Sequence, residues 1–244
     1  MITKVTGIII STVAYGESSL VLNIFTKELG IIGVMAKGVK SLKSRLRAYT
    51  DRLTYGYFYI YYKENKLSTL KDVDIIDYYP YIRSDIILLG YFNYITELTS
   101  QVYKETQDNR LFDLLMASVK KMEEKIDSEI ITNILEVQCL PFLGVGMTLE
   151  ECVSCGSTKS IVTISEELGG LICQKCYTKE PLLDLKTIHY LRLFSKININ
   201  QIKKISIEPK IKLELDMFLN DYYSRYTGLY LKSKDFLKKL KENL

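Results

Sequence analysis

The sequence predicts an α+β protein: a small five-stranded barrel, then a helical domain with a metal-stapled hairpin inserted into it. Three observations carry this. Five short strand-like runs, the first three β-branched and the fourth aromatic, lie within residues 1–79. From Pro80 onward the apolar pattern changes from alternation to helical spacing. Residues 152–176 hold C-x2-C, a spacer of 17 residues and a second C-x2-C. The expected domains are a barrel at 1–79, helical segments at 80–148 and 181–244, and a four-cysteine unit at 149–180.

The barrel strands are Val5–Ile10, Leu20–Phe25, Ile31–Ala36, Tyr55–Tyr62 and Leu67–Val73. Glu28-Leu29-Gly30 makes one tight connection, and Lys63-Glu64-Asn65-Lys66 reads as a hairpin loop. Five strands in so short a segment suit a closed barrel. The OB-fold is the commonest such barrel, and an SH3-like barrel is its rival.

Between the third and fourth strands lies a stretch with five cations and no acid: Lys37, Lys40, Lys43, Arg45 and Arg47. Arg52 follows shortly after. Net charge is only +4, so a polyanion-binding surface has to come from local clustering of this kind. A mobile basic loop punctuated by Gly and Ser suits a phosphate backbone. A charged loop is ordinarily just solvated, and the neighbouring barrel tips the reading toward nucleic acid. Gly33-x4-Gly38-Val39-Lys40-Ser41 imitates a nucleotide-binding P-loop, but Val39 separates glycine from lysine, which that motif keeps contiguous.

Tyr55, Tyr57, Tyr59 and Tyr61 fall on one face of the fourth strand, with Phe58 and Tyr62 on the other. Such rings can stack on bases. More often they form a half-buried sheet face.

The helical part opens with Ile86–Leu98, whose apolar residues recur at helical spacing. A second helix starts near Asp108 and runs to about Lys125. A third runs from Asp127 or Ser128 to Leu143, ended by Gly144 and Gly146. Cys139 lies on its apolar face, off the metal spacing, and reads as a core thiol. Beyond the cysteine unit, Asp184 starts a helix through Leu191 and Phe194. Another runs from Pro209 to about Tyr226, its buried side marked by Leu213, Phe218, Leu219 and Tyr222. The basic amphipathic stretch Lys232–Leu240 closes the chain as a solvated face or a second phosphate contact.

Each CxxC pair turns the chain tightly, so Cys152, Cys155, Cys173 and Cys176 can face one metal ion. Ile161–Ile164 and Leu168–Ile172 read as the strands of the intervening hairpin. Four thiolates close a tetrahedron around zinc and leave no open position, so the site is expected to be structural. Paired disulfides or a redox CxxC fit less well, because nothing suggests export and no βαβ pattern flanks the cysteines. There is no basic-then-apolar signal segment and no run of about 20 apolar residues, so a cytosolic protein without a membrane span is expected.

Catalysis finds little support. His189 is the sole histidine and has no acidic or hydroxyl partner at a recognisable spacing. There is no nucleophile elbow, and acids are scattered, so no catalytic residue and no small-molecule substrate are expected. A metal-dependent nuclease, whose carboxylates converge only in the fold, stays open.

Several motifs in order resemble the bacterial RecO family of recombination mediators. They are Gly7-Ile8-Ile9, Gly16-Glu17-Ser18, Phe25-Thr26-x3-Gly30, Ala36-Lys37-Gly38 with the Ser44-Arg45 loop, and Leu143-Gly144 ahead of Cys152-x2-Cys155-Gly156. Gly169-Gly170-x2-Cys173-x2-Cys176 and Leu231-Lys232-Ser233-x2-Phe236-Leu237 complete the set. Ser19 departs from the acidic residue common there, and Val39-Lys40 replaces the usual Ala-Arg. The resemblance implies a protein that binds single- and double-stranded DNA and anneals complementary strands. It also implies action with RecR to load RecA onto DNA coated by single-stranded DNA-binding protein (SSB), whose C-terminal tail is recognised. A cytoplasmic, nucleoid-associated location would follow. The alternative is a zinc-ribbon RNA-binding or ribosome-associated protein, which uses the same kind of barrel and loop.

Overall fold

A computed structural model describes residues 1–243. The chain forms two compact units, one of residues 1–89 with 107–113, the other of residues 90–106 with 114–244.

The first unit contains a closed barrel of β1 (Ile2–Tyr15), β2 (Ser19–Thr26), β3 (Gly30–Ala36), β4 (Tyr55–Tyr61) and β5 (Ser68–Asp77), in the order β1-β2-β3-β5-β4. β1, β2, β3 and β4, β5 pair antiparallel with their sequence neighbours, and β1 pairs antiparallel with β4. A short parallel contact, Val34 with Ser68 and Met35 with Thr69, closes the barrel. This is the OB-like arrangement expected from five strands.

The interior is filled by alternate residues of each strand, among them Val5, Ile9, Leu22, Ile24, Val34, Phe58, Ile60 and Val73. Ile8 and Phe25 point the other way and are also fully buried. The edge of the Phe112 ring covers Phe25, with centroids 5.6 Å apart. The run Val5–Ile10 is therefore nearly continuous in hydrophobicity because both of its faces are covered. β1 is longer than the expected run, extending through Ser11 and Thr12 to the exposed Val13 and Tyr15. Its ladder shifts register between Ile9 and Ser11, and there Ile9 bonds the loop that precedes β4: its N–H donates to Thr54 and its carbonyl accepts from Leu53. Phe58 lies on the inward face of β4 with Ile60, whereas Tyr62, expected on the same face as Phe58, lies beyond the end of the strand and is exposed.

Short helix α1 (Pro80–Arg83) follows the barrel, and α2 (Ile86–Thr106) and α3 (Arg110–Glu123) succeed it. In the second unit, α4 (Ser128–Cys139) is capped by Asp127, whose carboxylate accepts from the N–H groups of Glu129 and Ile130. Pro141 tightens the end of that helix into a 3-10 turn, Leu140–Leu143, before Gly144 at φ 73 reverses the chain. Helices α5 (Leu185–Phe194), α6 (Pro209–Tyr226) and α7 (Lys232–Glu242) complete the set. Asp184 caps α5 through the N–H of Lys186 at 3.0 Å.

One expectation fails on α6. Leu213 is 60% exposed, whereas Ile211, Leu215, Phe218, Leu219 and Tyr222 form the buried stripe. The stripe runs i, i+4, i+7, i+8, i+11 from Ile211, which puts Leu213 about 200° away around the helix. α7 docks on α2 at Gly90, where an added Cβ would lie 2.8 Å from Leu237 Cδ1. The small residue makes room for the only buried side chain of α7.

Candidate functional site

The cysteine unit is a three-stranded sheet, ordered β6-β8-β7, of β6 (Thr148–Cys152), β7 (Ile161–Ser165) and β8 (Gly170–Cys173). β6 has no signature in the sequence, since Thr148-Leu-Glu-Glu-Cys is mostly polar and exposed. It pairs with β8 in parallel through Thr148 with Gly170 and Cys152 with Leu171. Gly170 is required there: a Cβ would stand 2.8 Å from the Thr148 carbonyl.

The two CxxC segments fold into matching turns. The N–H groups of Cys155 and Gly156 donate to the Cys152 carbonyl, and those of Cys176 and Tyr177 to the Cys173 carbonyl. Gly156 takes φ 71, which a glycine adopts freely. Each turn thus directs two sulfurs to the same side. All four Sγ atoms lie within 4.8 Å of one another, and Cys155 and Cys173 are 3.6 Å apart. A tetrahedral ion with metal–sulfur bonds of about 2.3 Å would space its sulfurs by about 3.8 Å, so the cluster fits one metal ion. Cys152 and Cys173 are buried, Cys176 is half-buried and Cys155 is exposed, so the ion would sit between the sheet and solvent. Burial pushes the Cys152 thiol up, but N–H bonds from Cys173, Ser154 and Cys155 outweigh it and bring it down to about 6. The neighbouring Cys155 and Cys173 sulfurs push Cys176 up to about 12. A divalent ion would displace the protons these sulfurs share. Cys139 is fully buried, its thiol driven far up by desolvation, and takes no part.

The six cations named above all lie in the segment joining β3 to β4, and all are exposed. That segment is anchored at several points, where the sequence suggested a mobile loop. It is a chain of turns, with N–H bonds from Ser41 to Gly38, Ser44 to Ser41 and Arg47 to Ser44. Val39 is 1% exposed and belongs to the barrel core, with Leu46 and Tyr49 packed against it. At the start of β2, the Ser18 carbonyl accepts from Lys40 N–H at 2.9 Å and the Ser19 hydroxyl from Gly38 N–H at 3.2 Å. Val39 turns inward, with Leu46 and Tyr49 half-buried behind it, while Leu42, Lys37, Lys40, Lys43 and Arg47 turn to solvent. Arg45 is held against β5 by Asp72, N to O 2.8 Å. Arg52 lies just before β4, and its carbonyl accepts from the Arg83 guanidinium at 2.5 Å.

Sequence reasoning missed Val39, Ser19 and Asp72 as organisers of this surface. Val39 alone left a signal, an isolated apolar residue inside a basic run. The partners Ser19 and Asp72 come from elsewhere in the barrel and leave none.

His189 is exposed on α5, its ring edge-on to Tyr190. Among the described residues no helix is long and apolar enough to cross a membrane.

The fold and these two sites define an OB-like barrel protein joined to a helical domain that carries a four-cysteine cluster able to hold one metal ion. The models of two family domains match the chain: "Recombination protein O N terminal" over residues 1–79 and "Recombination protein O C terminal" over residues 83–235. The DNA repair protein RecO of Halalkalibacterium halodurans is 36% identical over 244 residues, 98% of this chain and 96% of that protein. RecO of Bacillus pumilus is 36% identical over 98% of this chain and 95% of its own length. RecO of Listeria monocytogenes serotype 4b is 35% identical over 97% and 94%. The chain belongs to the RecO family, and its role is in DNA repair and recombination. That membership does not favour the ribosome-associated alternative.

Proposed function

We propose that this protein binds single- and double-stranded DNA through the basic β3–β4 segment, anneals complementary strands, and acts with RecR to load RecA onto DNA coated by SSB. The observation that carries the DNA reading is a set of exposed cations, Lys37, Lys40, Lys43, Arg45, Arg47 and Arg52, beside an OB-like barrel in a RecO-family chain. Such a surface gains affinity by releasing counterions from phosphates and reads no base edges. It can therefore hold two strands of any sequence while they pair. Recognition of the SSB tail and contact with RecR are proposed on family membership alone, as is a cytoplasmic, nucleoid-associated location.

In this reading residues 1–79 bind DNA and residues 149–180 form a unit stapled by one structural zinc ion on Cys152, Cys155, Cys173 and Cys176. Residues 80–148 and 181–244 form the helical domain. The protein acts without catalysis of its own.

Annealing of two complementary labelled oligonucleotides across a salt series tests this. Wild type should anneal them without nucleotide cofactor and lose activity steeply as salt rises. A variant with Lys40, Lys43, Arg45 and Arg47 changed to Glu should fail. Equal annealing by both proteins would remove the β3–β4 segment from the mechanism.

A further inference from the structure

We infer that the outer wall of β1, β4 and β5 is a base-stacking platform for single-stranded nucleic acid, with Tyr57 and Tyr61 as its stacking rings. This inference rests on the DNA reading above and extends it to a surface that reading does not use.

The strand register builds the wall. Across β1, β4 and β5 the outward rows are Thr6–Tyr57–Asp74, Lys4–Tyr59–Asp72 and Ile2–Tyr61–Thr69. Three tyrosines thus stand in line on the central strand of the three. Tyr57 is 36% and Tyr61 43% exposed, while Phe58 and Ile60 between them are fully buried in the barrel. The rings therefore do not serve the core, and Tyr57 and Tyr61 are exposed, with Lys4 lying over the Tyr57 ring.

Spacing and charge select the occupant. Alternate residues of a strand are about 6.8 Å apart, twice the stacking rise of about 3.4 Å per nucleotide, so the gaps between successive tyrosine positions match the spacing of every second base. A cation already occupies the first of those gaps: Lys4 Nζ lies 3.7 Å from the Tyr57 ring centre and 5.9 Å from that of Tyr59. An incoming strand offers the ring a base and the exposed lysine a phosphate, replacing one contact with two.

Both carboxylates in these three rows are engaged. Asp74 accepts from the Tyr59 hydroxyl at 2.8 Å, and Asp72 from Arg45 at 2.8 Å. The Arg45 contact joins the basic segment to the middle row, so a strand whose phosphates follow the segment has its bases beside the rings. A duplex, with its bases paired and enclosed, gains nothing from them, which makes this wall selective for single strands.

The test compares wild type, Tyr57→Leu/Tyr61→Leu and Tyr57→Phe/Tyr61→Phe by fluorescence anisotropy with labelled oligothymidine, an abasic strand of equal length, and a duplex. The leucine variant should bind oligothymidine about tenfold more weakly or worse. Its duplex affinity and melting temperature should match wild type, and the phenylalanine variant should bind as wild type does. Abasic substitution should weaken binding by wild type and not by the leucine variant. Wild-type affinity of the leucine variant for oligothymidine would overturn the platform, leave the DNA reading standing, and point to a protein partner for this face. Failure of wild type to bind any of the three probes would overturn both.

Discussion

Lys234 on α7 reaches Glu136 in the last turn of α4, with Nζ 2.7 Å from Oε1. Glu136 is 1% exposed, and its Oε1 also accepts from the Tyr94 hydroxyl. The ammonium lies 5.3 Å from the Tyr94 ring centre. The basic C-terminal helix therefore spends a cation inside the protein, and Lys241 is likewise paired with Glu129 at 3.2 Å. The sequence offered this helix as a solvated face or a phosphate contact. Its Lys234 instead neutralises a buried carboxylate.

Removing that cation should be costly, because an unpaired charge is left in the interior. Lys234→Met should lower stability by about 3–5 kcal/mol in urea unfolding. Adding Glu136→Gln, which keeps an acceptor for Tyr94, should restore more than half of the loss. An equally unstable double variant would show that packing of α7, and not the charge, is what Lys234 supplies.

Asp216 on α6 is partly buried beside this pair, and desolvation raises its pKa above the ordinary 3.8, with Lys234 opposing and Glu136 reinforcing the shift. An acid whose folded-state pKa is raised costs stability once it ionises, and the cost grows as pH rises from the unfolded value through the folded one. Asp216→Asn should therefore melt higher than wild type at neutral pH. The gain should shrink as pH falls through about 4 and vanish by about pH 3, where the aspartate is protonated in both states. A constant difference across pH would assign the effect to something other than charge.

Metal should hold the β6–β8 unit together. Purified protein should carry one zinc ion per chain, measured by elemental analysis, and a strong chelator should unfold the unit. The metal contribution to a four-thiolate unit is on the order of 10 kcal/mol. Cys155→Ser and Cys173→Ser should each yield poorly soluble protein with reduced zinc. Full solubility, unchanged melting and wild-type circular dichroism in both variants would refute a structural role.

Val39 lets the DNA-binding proposal be probed without touching a charge. Val39→Ala should cost about 1–2 kcal/mol through lost burial. It should also weaken oligonucleotide binding, because the turns that aim Lys37 and Lys40 lose their anchor. Normal DNA affinity in a destabilised Val39→Ala protein would mean that the segment binds phosphate as a flexible chain.

Much of this protein was determined by sequence alone, and for local reasons. Strand alternation in 1–79, the period change at Pro80 and the CxxC spacing depend on residues close together in the chain. The capping carboxylates Asp127 and Asp184 do too, so each could be read in place. Tertiary structure decided what depends on distant partners. β6 is a polar strand that exists because Gly170 lets β8 approach Thr148. Leu213 belongs to an apolar-looking helix, yet only the neighbours of α6 determine which stripe is covered. Arg45 meets Asp72, and Lys234 meets Glu136, across 27 and 98 residues of chain. No periodicity encodes such pairs, because they form only when separate elements are brought together, and it is burial that gives Glu136 its demand for a cation.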